Sequence, residues 1–295
     1  MPGLRSPALR RSWLFVPGAD PKALAEAANC GADVLIQELE DFTAPARRPD
    51  ARRLAAETYR RWHQAGRIVA VRVNPLAGDG MADLEAAMAA RPDVVMLPKV
   101  DRPAHVIELA AAVERLERRH GIPLGTTELA PNVESAKGLN ATVAIATASP
   151  RVVACLVASE DMAADLGAER GRDGRELDYV RAKFHADCVA AGVVSIDCPY
   201  TWRDAEGLIA DIEHARRLGY RAKSLVVAEH AKLVNRVLTP SDDAVAKARR
   251  VIAAFEQARG SGLGGVELDG SMIELPIYLN AKRLVARAEA LAGAG

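Results

Sequence analysis

Short apolar runs rich in valine, isoleucine and leucine recur along this chain, near Trp13 to Val16, Val34 to Leu39, Ile68 to Val73, Val94 to Leu97, Leu129 to Val133, Val152 to Ala158, Val193 to Ile196 and Ser224 to Val227. The stretches between them are alanine-rich and charged, with helical periodicity over Pro21 to Asn29, Ala51 to Gln64, Met81 to Ala90, Ala104 to Arg119, Ala136 to Ala148, Tyr179 to Ala191 and Asp204 to Arg217. A parallel strand pair needs a crossover long enough to hold a helix, so this alternation predicts βαβ units. Eight strands is the count that closes a (β/α)8 TIM barrel, and the predicted class is α/β. A length of 295 residues would also allow two domains, but a barrel routinely uses about 250 residues as one.

The barrel is assigned to residues 1–238 as the catalytic domain, with 239–295 as a C-terminal helical extension. In the extension, Thr239-Pro240 followed by Asp242 reads as an N-cap and first turn, and Val245, Ala248, Val251, Ile252 and Phe255 share one helical face up to Arg259. Gly260-Ser261-Gly262-Leu263-Gly264-Gly265 satisfies GxGxxG, but it follows a helix where a dinucleotide loop follows a strand, so a hinge is expected. A last amphipathic helix is expected from about Pro276 to Leu291.

Lys and Arg number 39 against 39 Asp and Glu. Nucleic-acid binders draw affinity from basic faces, so this balance argues against nucleic acid or an anionic membrane as partner and favours a small molecule. The longest apolar stretches fall far short of the roughly 20 residues that span a bilayer. The start, MPGLRSPALRRSW, is basic without an apolar signal core, so a cytoplasmic location is expected. Cys30, Cys155, Cys188 and Cys198 lack metal or disulfide-scaffold spacing and are expected as reduced thiols. The six histidines supply no cluster.

In a parallel barrel the chemistry sits where strands run out into βα loops. Here those positions carry Glu38-Leu39-Glu40-Asp41, the strand-borne Arg72, Lys99, Glu134, and Ser159-Glu160-Asp161. Carboxylates converging from separate strands repel one another unless a cation lies between them, and oxygen ligands suit Mg2+ or Mn2+. Glu134 and Asp161 are assigned as direct ligands, with Glu38, Glu40 and Asp41 behind them. Taken singly, each acid could simply cap the following helix. Arg72 in an apolar strand needs a partner, either a substrate oxygen or an ion pair with Glu40 or Asp41. Lys99 and Lys223 raise a Schiff-base aldolase as a further alternative.

Several segments together resemble the citrate lyase β-subunit-like members of the HpcH/HpaI aldolase superfamily, which include malyl-CoA and citramalyl-CoA lyases. They are Arg11-Ser12-Trp13-Leu14-Phe15-Val16-Pro17-Gly18, Gly31-Ala32-Asp33 leading to Leu39-Glu40-Asp41, Val71-Arg72-Val73-Asn74, Val95-Met96-Leu97-Pro98-Lys99, Glu134 with Gly138, Ser159 to Gly167, Ile196 to Tyr200, and Leu268-Asp269-Gly270-Ser271-Met272. The resemblance implies a TIM barrel, a homo-oligomer (trimer or hexamer), and Mg2+ dependence through Glu134 and Asp161. It implies that Arg72 holds and polarises substrate oxygens. It also implies that Asp269 reaches a neighbouring subunit's site as acid/base, where composition alone makes it a turn residue. Phe15, Pro17, Gly18 and Lys99 are expected at the substrate, and Glu40 and Asp41 in the catalytic set.

There are departures too. Glu38 replaces the family's usual aspartate, Val226-Val227-Ala228-Glu229-His230 replaces a His-Pro loop after the eighth strand, and Ala130-Pro131-Asn132-Val133 replaces a more apolar approach to Glu134. The loop change questions coenzyme A as acyl carrier. The expected reaction is metal-dependent carbon–carbon cleavage or formation of a short 3-hydroxyacyl thioester. The alternatives are an aldolase on a free 2-oxo-4-hydroxy acid, a thioesterase of the same family, or a subunit without turnover.

Overall fold

The computed structural model describes residues 4–293; the outermost residues of both expected domains, 1–3 and 294–295, lie outside the described residues. The chain divides into two compact units, one up to Arg236 and one from Val237.

The first unit is a closed parallel barrel of strands β1 (Ser12–Pro17), β2 (Val34–Glu38), β3 (Ile68–Arg72), β4 (Val94–Leu97), β5 (Glu128–Val133), β6 (Ala154–Val157), β7 (Val194–Asp197) and β8 (Ala222–Leu225) in sequential order, β8 closing onto β1. The expected (β/α)8 barrel is thus the observed one. Side chains alternate across each strand, and the inward set, including Trp13, Val34, Ile36, Ile68, Ala70, Val94, Met96, Ala130, Leu156 and Ile196, makes the apolar barrel core. Among the described residues no helix is long and apolar enough to cross a membrane.

Some elements differ from expectation. The sixth strand is shorter than the apolar run Val152 to Ala158, because Val152 makes only an isolated bridge to Leu129. The helix expected over Ala136 to Ala148 is two short helices, Ala136–Asn140 and Thr142–Ala146. Thr142 Oγ1 donates back to the carbonyls of Gly138 and Leu139 at the break. An unforeseen helix, Glu160–Leu166, follows β6 directly.

The second unit pairs helix Asp242–Gly260 with helix Leu275–Gly293 around Val251, Phe255, Ala281 and Val285, with Phe255 stacked on Tyr278. The first of these helices is capped by Ser241, whose Oγ accepts from the Ala244 N–H at 3.2 Å, and not by Thr239. Between them the chain forms an unforeseen hairpin, β9 (Val266–Leu268) with β10 (Ser271–Ile273). Asp269 and Gly270 occupy its two-residue turn with φ of 51° and 75°, the left-handed pair that a tight hairpin requires.

Candidate active site

At the C-terminal rim of the barrel the inward positions change from apolar to charged. On β2 the series Val34, Ile36 ends in Glu38, and on β3 the series Ile68, Ala70 ends in Arg72. Glu38 and Arg72 are register partners. Arg72 is buried among three carboxylates, with Nε 2.9 Å from Glu38, Nη2 3.3 Å from Glu40 and Nη1 3.7 Å from Glu134. Its guanidinium carbon lies 4.8 Å from the ring centre of Phe15, the last inward aromatic of β1. Burial works against its charge, but the carboxylates outweigh burial and hold its pKa above the ordinary arginine value. The expected ion pair with Glu40 is present, joined by Glu38 and Glu134, whereas Asp41 lies against Lys99.

Glu38 is saturated. Besides Arg72 it accepts from the backbone N–H groups of Glu40 and Phe42, each at 2.7 Å, so it fixes the β2 loop and has no oxygen to spare for a cation. Gly18 serves the same corner. Its N–H donates to the Glu38 carbonyl at 2.9 Å, and a Cβ there would stand 2.4 Å from that oxygen. Thr43 completes the corner, its hydroxyl donating to the Glu38 carbonyl at 2.6 Å and accepting the Gly18 N–H at 3.1 Å. Gly18 is therefore buried against backbone, whereas Pro17 is half-buried beside it.

Glu40 is buried and hydrogen-bonded by Lys99, which also lies 3.7 Å from the exposed Asp41. Burial raises the Glu40 pKa despite both neighbouring cations. Lys99, with a positive φ of 55° at the end of β4, is held above its ordinary range chiefly by its hydrogen bond to Glu40. Lys223 faces away from the barrel core. Its Nζ contacts Asp197 at 2.6 Å and Asp211 at 2.5 Å, and these carboxylates override burial and raise its pKa. A Schiff-base lysine needs a depressed pKa, and both candidates have the opposite.

Glu134, just past β5, and Asp161, in the first turn of helix Glu160–Leu166, supply the remaining acids. Burial, joined by the charges of Asp161 and Glu40, outweighs Arg72 and pushes the Glu134 carboxyl up to about 8. Neither Glu134 oxygen completes a hydrogen bond, and the same holds for Glu40 Oε2, both amide atoms of Asn132 and Ser159 Oγ. All are buried at the ends of β2, β5 and β6. A buried polar group without a partner costs about 1–3 kcal/mol, so this concentration of unmet polar atoms, most of them oxygens, marks a place built for a guest. Among the described residues no three His, Cys, Asp or Glu converge as a complete ligand set. That suits Mg2+, which takes one or two protein carboxylates and leaves its other positions to water and substrate oxygens. Glu134 and Asp161 are the carboxylates at this rim that could hold such an ion.

Asp269 belongs to the second unit. It is exposed on the β9–β10 turn and ion-paired with Arg250. Asn132 was not foreseen as a site residue. The signal available in sequence was an amide two residues before Glu134 and two after the core residue Ala130, on the inward-facing alternation of β5.

The sequence profile of the HpcH/HpaI aldolase/citrate lyase family matches residues 11–228. The chain is 34% identical over 284 residues to the citrate lyase subunit beta of Leuconostoc mesenteroides subsp. cremoris, covering 96% of this chain and 94% of that protein. It is also 34% identical over 289 residues to a (3S)-malyl-CoA thioesterase of Cereibacter sphaeroides, covering 96% and 95%. The crystal structure of CitE from Mycobacterium tuberculosis in complex with magnesium, acetoacetate and coenzyme A superposes with a TM-score of 0.78 at 31% identity, covering 95% of this chain and 98% of that one.

Proposed function

The chain belongs to the HpcH/HpaI aldolase/citrate lyase family, and from that premise we propose that it is a Mg2+-dependent carbon–carbon lyase acting on a short 3-hydroxyacyl thioester of the malyl, citramalyl or citryl type. The observation that carries this reading is the buried set of unmet oxygen acceptors around Arg72, which combines a place for a hard cation with a fixed guanidinium. The magnesium of the M. tuberculosis neighbour supports the choice of ion. Glu134 and Asp161 would hold the ion, which would supply Lewis-acid polarisation and a template for the oxo-acid oxygens.

In the cleavage direction the substrate hydroxyl loses its proton, and the bond between the carbinol carbon and the α-carbon of the thioester breaks. The carbinol carbon becomes the keto carbon of a 2-oxo acid, and the electron pair passes into the thioester enolate. Glu40, whose proton affinity burial raises, accepts the hydroxyl proton. Arg72, held in place by Glu38 and Phe15, stabilises the developing oxyanion. Lys99, oriented by Glu40 and Asp41, meets the substrate carboxylate. Phe15 and Pro17 wall the entry, and Gly18 lets β1 close on β2 behind them. Asp269, on its exposed turn, returns a proton to the α-carbon from a neighbouring copy in a homo-oligomer.

Incubation with malyl-, citramalyl- and citryl-type thioesters tests the reading. A lyase releases a 2-oxo acid only with Mg2+ present. Free thiol without oxo acid would instead make the protein a thioesterase like its C. sphaeroides relative.

A further inference from the structure

Asn132 sits where a barrel strand ordinarily carries an apolar side chain. It alternates with Ala130 on the inward face of β5 and is the register partner of Leu156, and both of those residues belong to the apolar core. It is 0% exposed, neither amide atom completes a well-formed hydrogen bond, and the group its side chain acts on is Glu134. The Asn132 backbone carbonyl accepts the Val100 N–H at 3.0 Å, which pins the strand and leaves the side chain no route out of the core. A leucine, with the same branching and number of side-chain heavy atoms, would occupy this place without burying two polar atoms, so stability does not explain the amide.

Glu134 lies two residues further along, just past β5, and its two buried oxygens complete no well-formed hydrogen bond, the Asn132 amide being the donor placed against them. An ionised carboxylate only accepts, and the NH2 group of an amide donates. Ligating carboxylates are commonly themselves hydrogen-bonded, and the donors fix which way their oxygens face.

We propose that Asn132 is a positioning residue for the cation site, its amide N–H donating to Glu134 when that carboxylate holds a divalent ion and fixing the direction of its oxygens. The inference rests on the reading of Glu134 as a ligand. It adds a residue that acts through that ligand, without touching substrate.

Titration of the metal-free protein with Mn2+ alone, followed by electron paramagnetic resonance, tests it alongside thermal unfolding without metal. Three variants are compared with the unmodified protein: Asn132→Leu, Asn132→Ser and Glu134→Gln. Asn132→Leu is expected to weaken Mn2+ binding about 10- to 100-fold while its metal-free Tm stays at or above that of the unmodified protein. Asn132→Ser, which keeps a donor, is expected to bind between the two. Unchanged Mn2+ affinity in Asn132→Leu, with Glu134→Gln losing the ion, overturns the inference alone. Weakened binding that follows a falling Tm, with serine no better than leucine, also overturns it, because the side chain then only fills space. Failure of the unmodified protein to bind Mn2+, or binding unaffected by Glu134→Gln, removes the ligand reading and this inference together.

Discussion

Replacing Arg72 separates charge from geometry. The guanidinium reaches Glu38, Glu40 and Glu134 at 2.9, 3.3 and 3.7 Å through three different nitrogens. A lysine ammonium is one point charge on a flexible stem and cannot span all three. In Arg72→Ala the carboxylates stay buried without their cation. Breaking a buried pair in this way costs about 3–5 kcal/mol, or roughly 6–20 °C in Tm at about 2–4 °C per kcal/mol for a domain of this class. Glu38 keeps its two backbone donors and limits the loss, so the lower half of that range is expected. Arg72→Lys restores a charge and recovers most of the Tm, yet it forfeits at least one charge-assisted hydrogen bond at the reacting oxygens. At about 1.5–3 kcal/mol, that lowers kcat/KM about 10- to 150-fold. The assay is oxo-acid release under limiting substrate, paired with thermal unfolding of both variants. A lysine variant with kcat/KM close to that of the unmodified protein would refute the argument, because a general positive charge would then suffice.

Three further outcomes follow from the same geometry. Glu134→Gln replaces a ligand oxygen by an amide of the same size, so it should abolish metal-dependent turnover with little change in the Tm of the metal-free protein, and Asp161→Asn should do the same; activity surviving in both variants contradicts the ligand assignment. Glu117 is buried, and its hydrogen bonds from Arg151 and from the Gly125 and Thr127 N–H groups override burial and lower its pKa from about 4.5 to about 2. A depressed acid contributes stability that is present above its unfolded pKa and lost as pH falls through the folded one, here about 3 kcal/mol at most between about pH 4.5 and 2; urea unfolding should show Glu117→Gln well below the unmodified protein at pH 7 and nearly equal to it at pH 2, and a constant gap would count against the sign. Finally, Glu229 and Glu26 line a groove of about 580 Å3 beside β1 with Lys232. Calorimetry should show weak binding of free coenzyme A that tightens in Glu229→Gln, and tight binding indifferent to that substitution would show the loop departure to be neutral.

The barrel was legible because its signal is periodic and local: apolar runs of strand length separated by helical stretches. The rim was legible because acids and an arginine stood where apolar runs ended. What escaped was set by partners distant in sequence. Lys223 reads like a nucleophile at a strand end, but Asp197 from the next strand and Asp211 from a helix bind it on the outer face. Helix Glu160–Leu166 was hidden because its residues read as a polar site motif, and only Ser159 before it and Gly167 after it mark its ends. Asn132 was visible as an oddity, but its significance depends on an amide sealed in the core against Glu134, which only the packed barrel reveals. The hairpin carrying Asp269 was read as a bare turn because strands of three residues leave almost no periodicity.

The most direct test of the lyase reading is a Mg2+ titration of 2-oxo acid release from a 3-hydroxyacyl thioester, run in parallel on the unmodified protein and on Glu134→Gln. Release that rises and saturates with Mg2+, is abolished by a chelator and is absent from the Glu134→Gln protein at every Mg2+ concentration is the predicted result. Oxo-acid release that is independent of Mg2+, or that persists in Glu134→Gln, would contradict it.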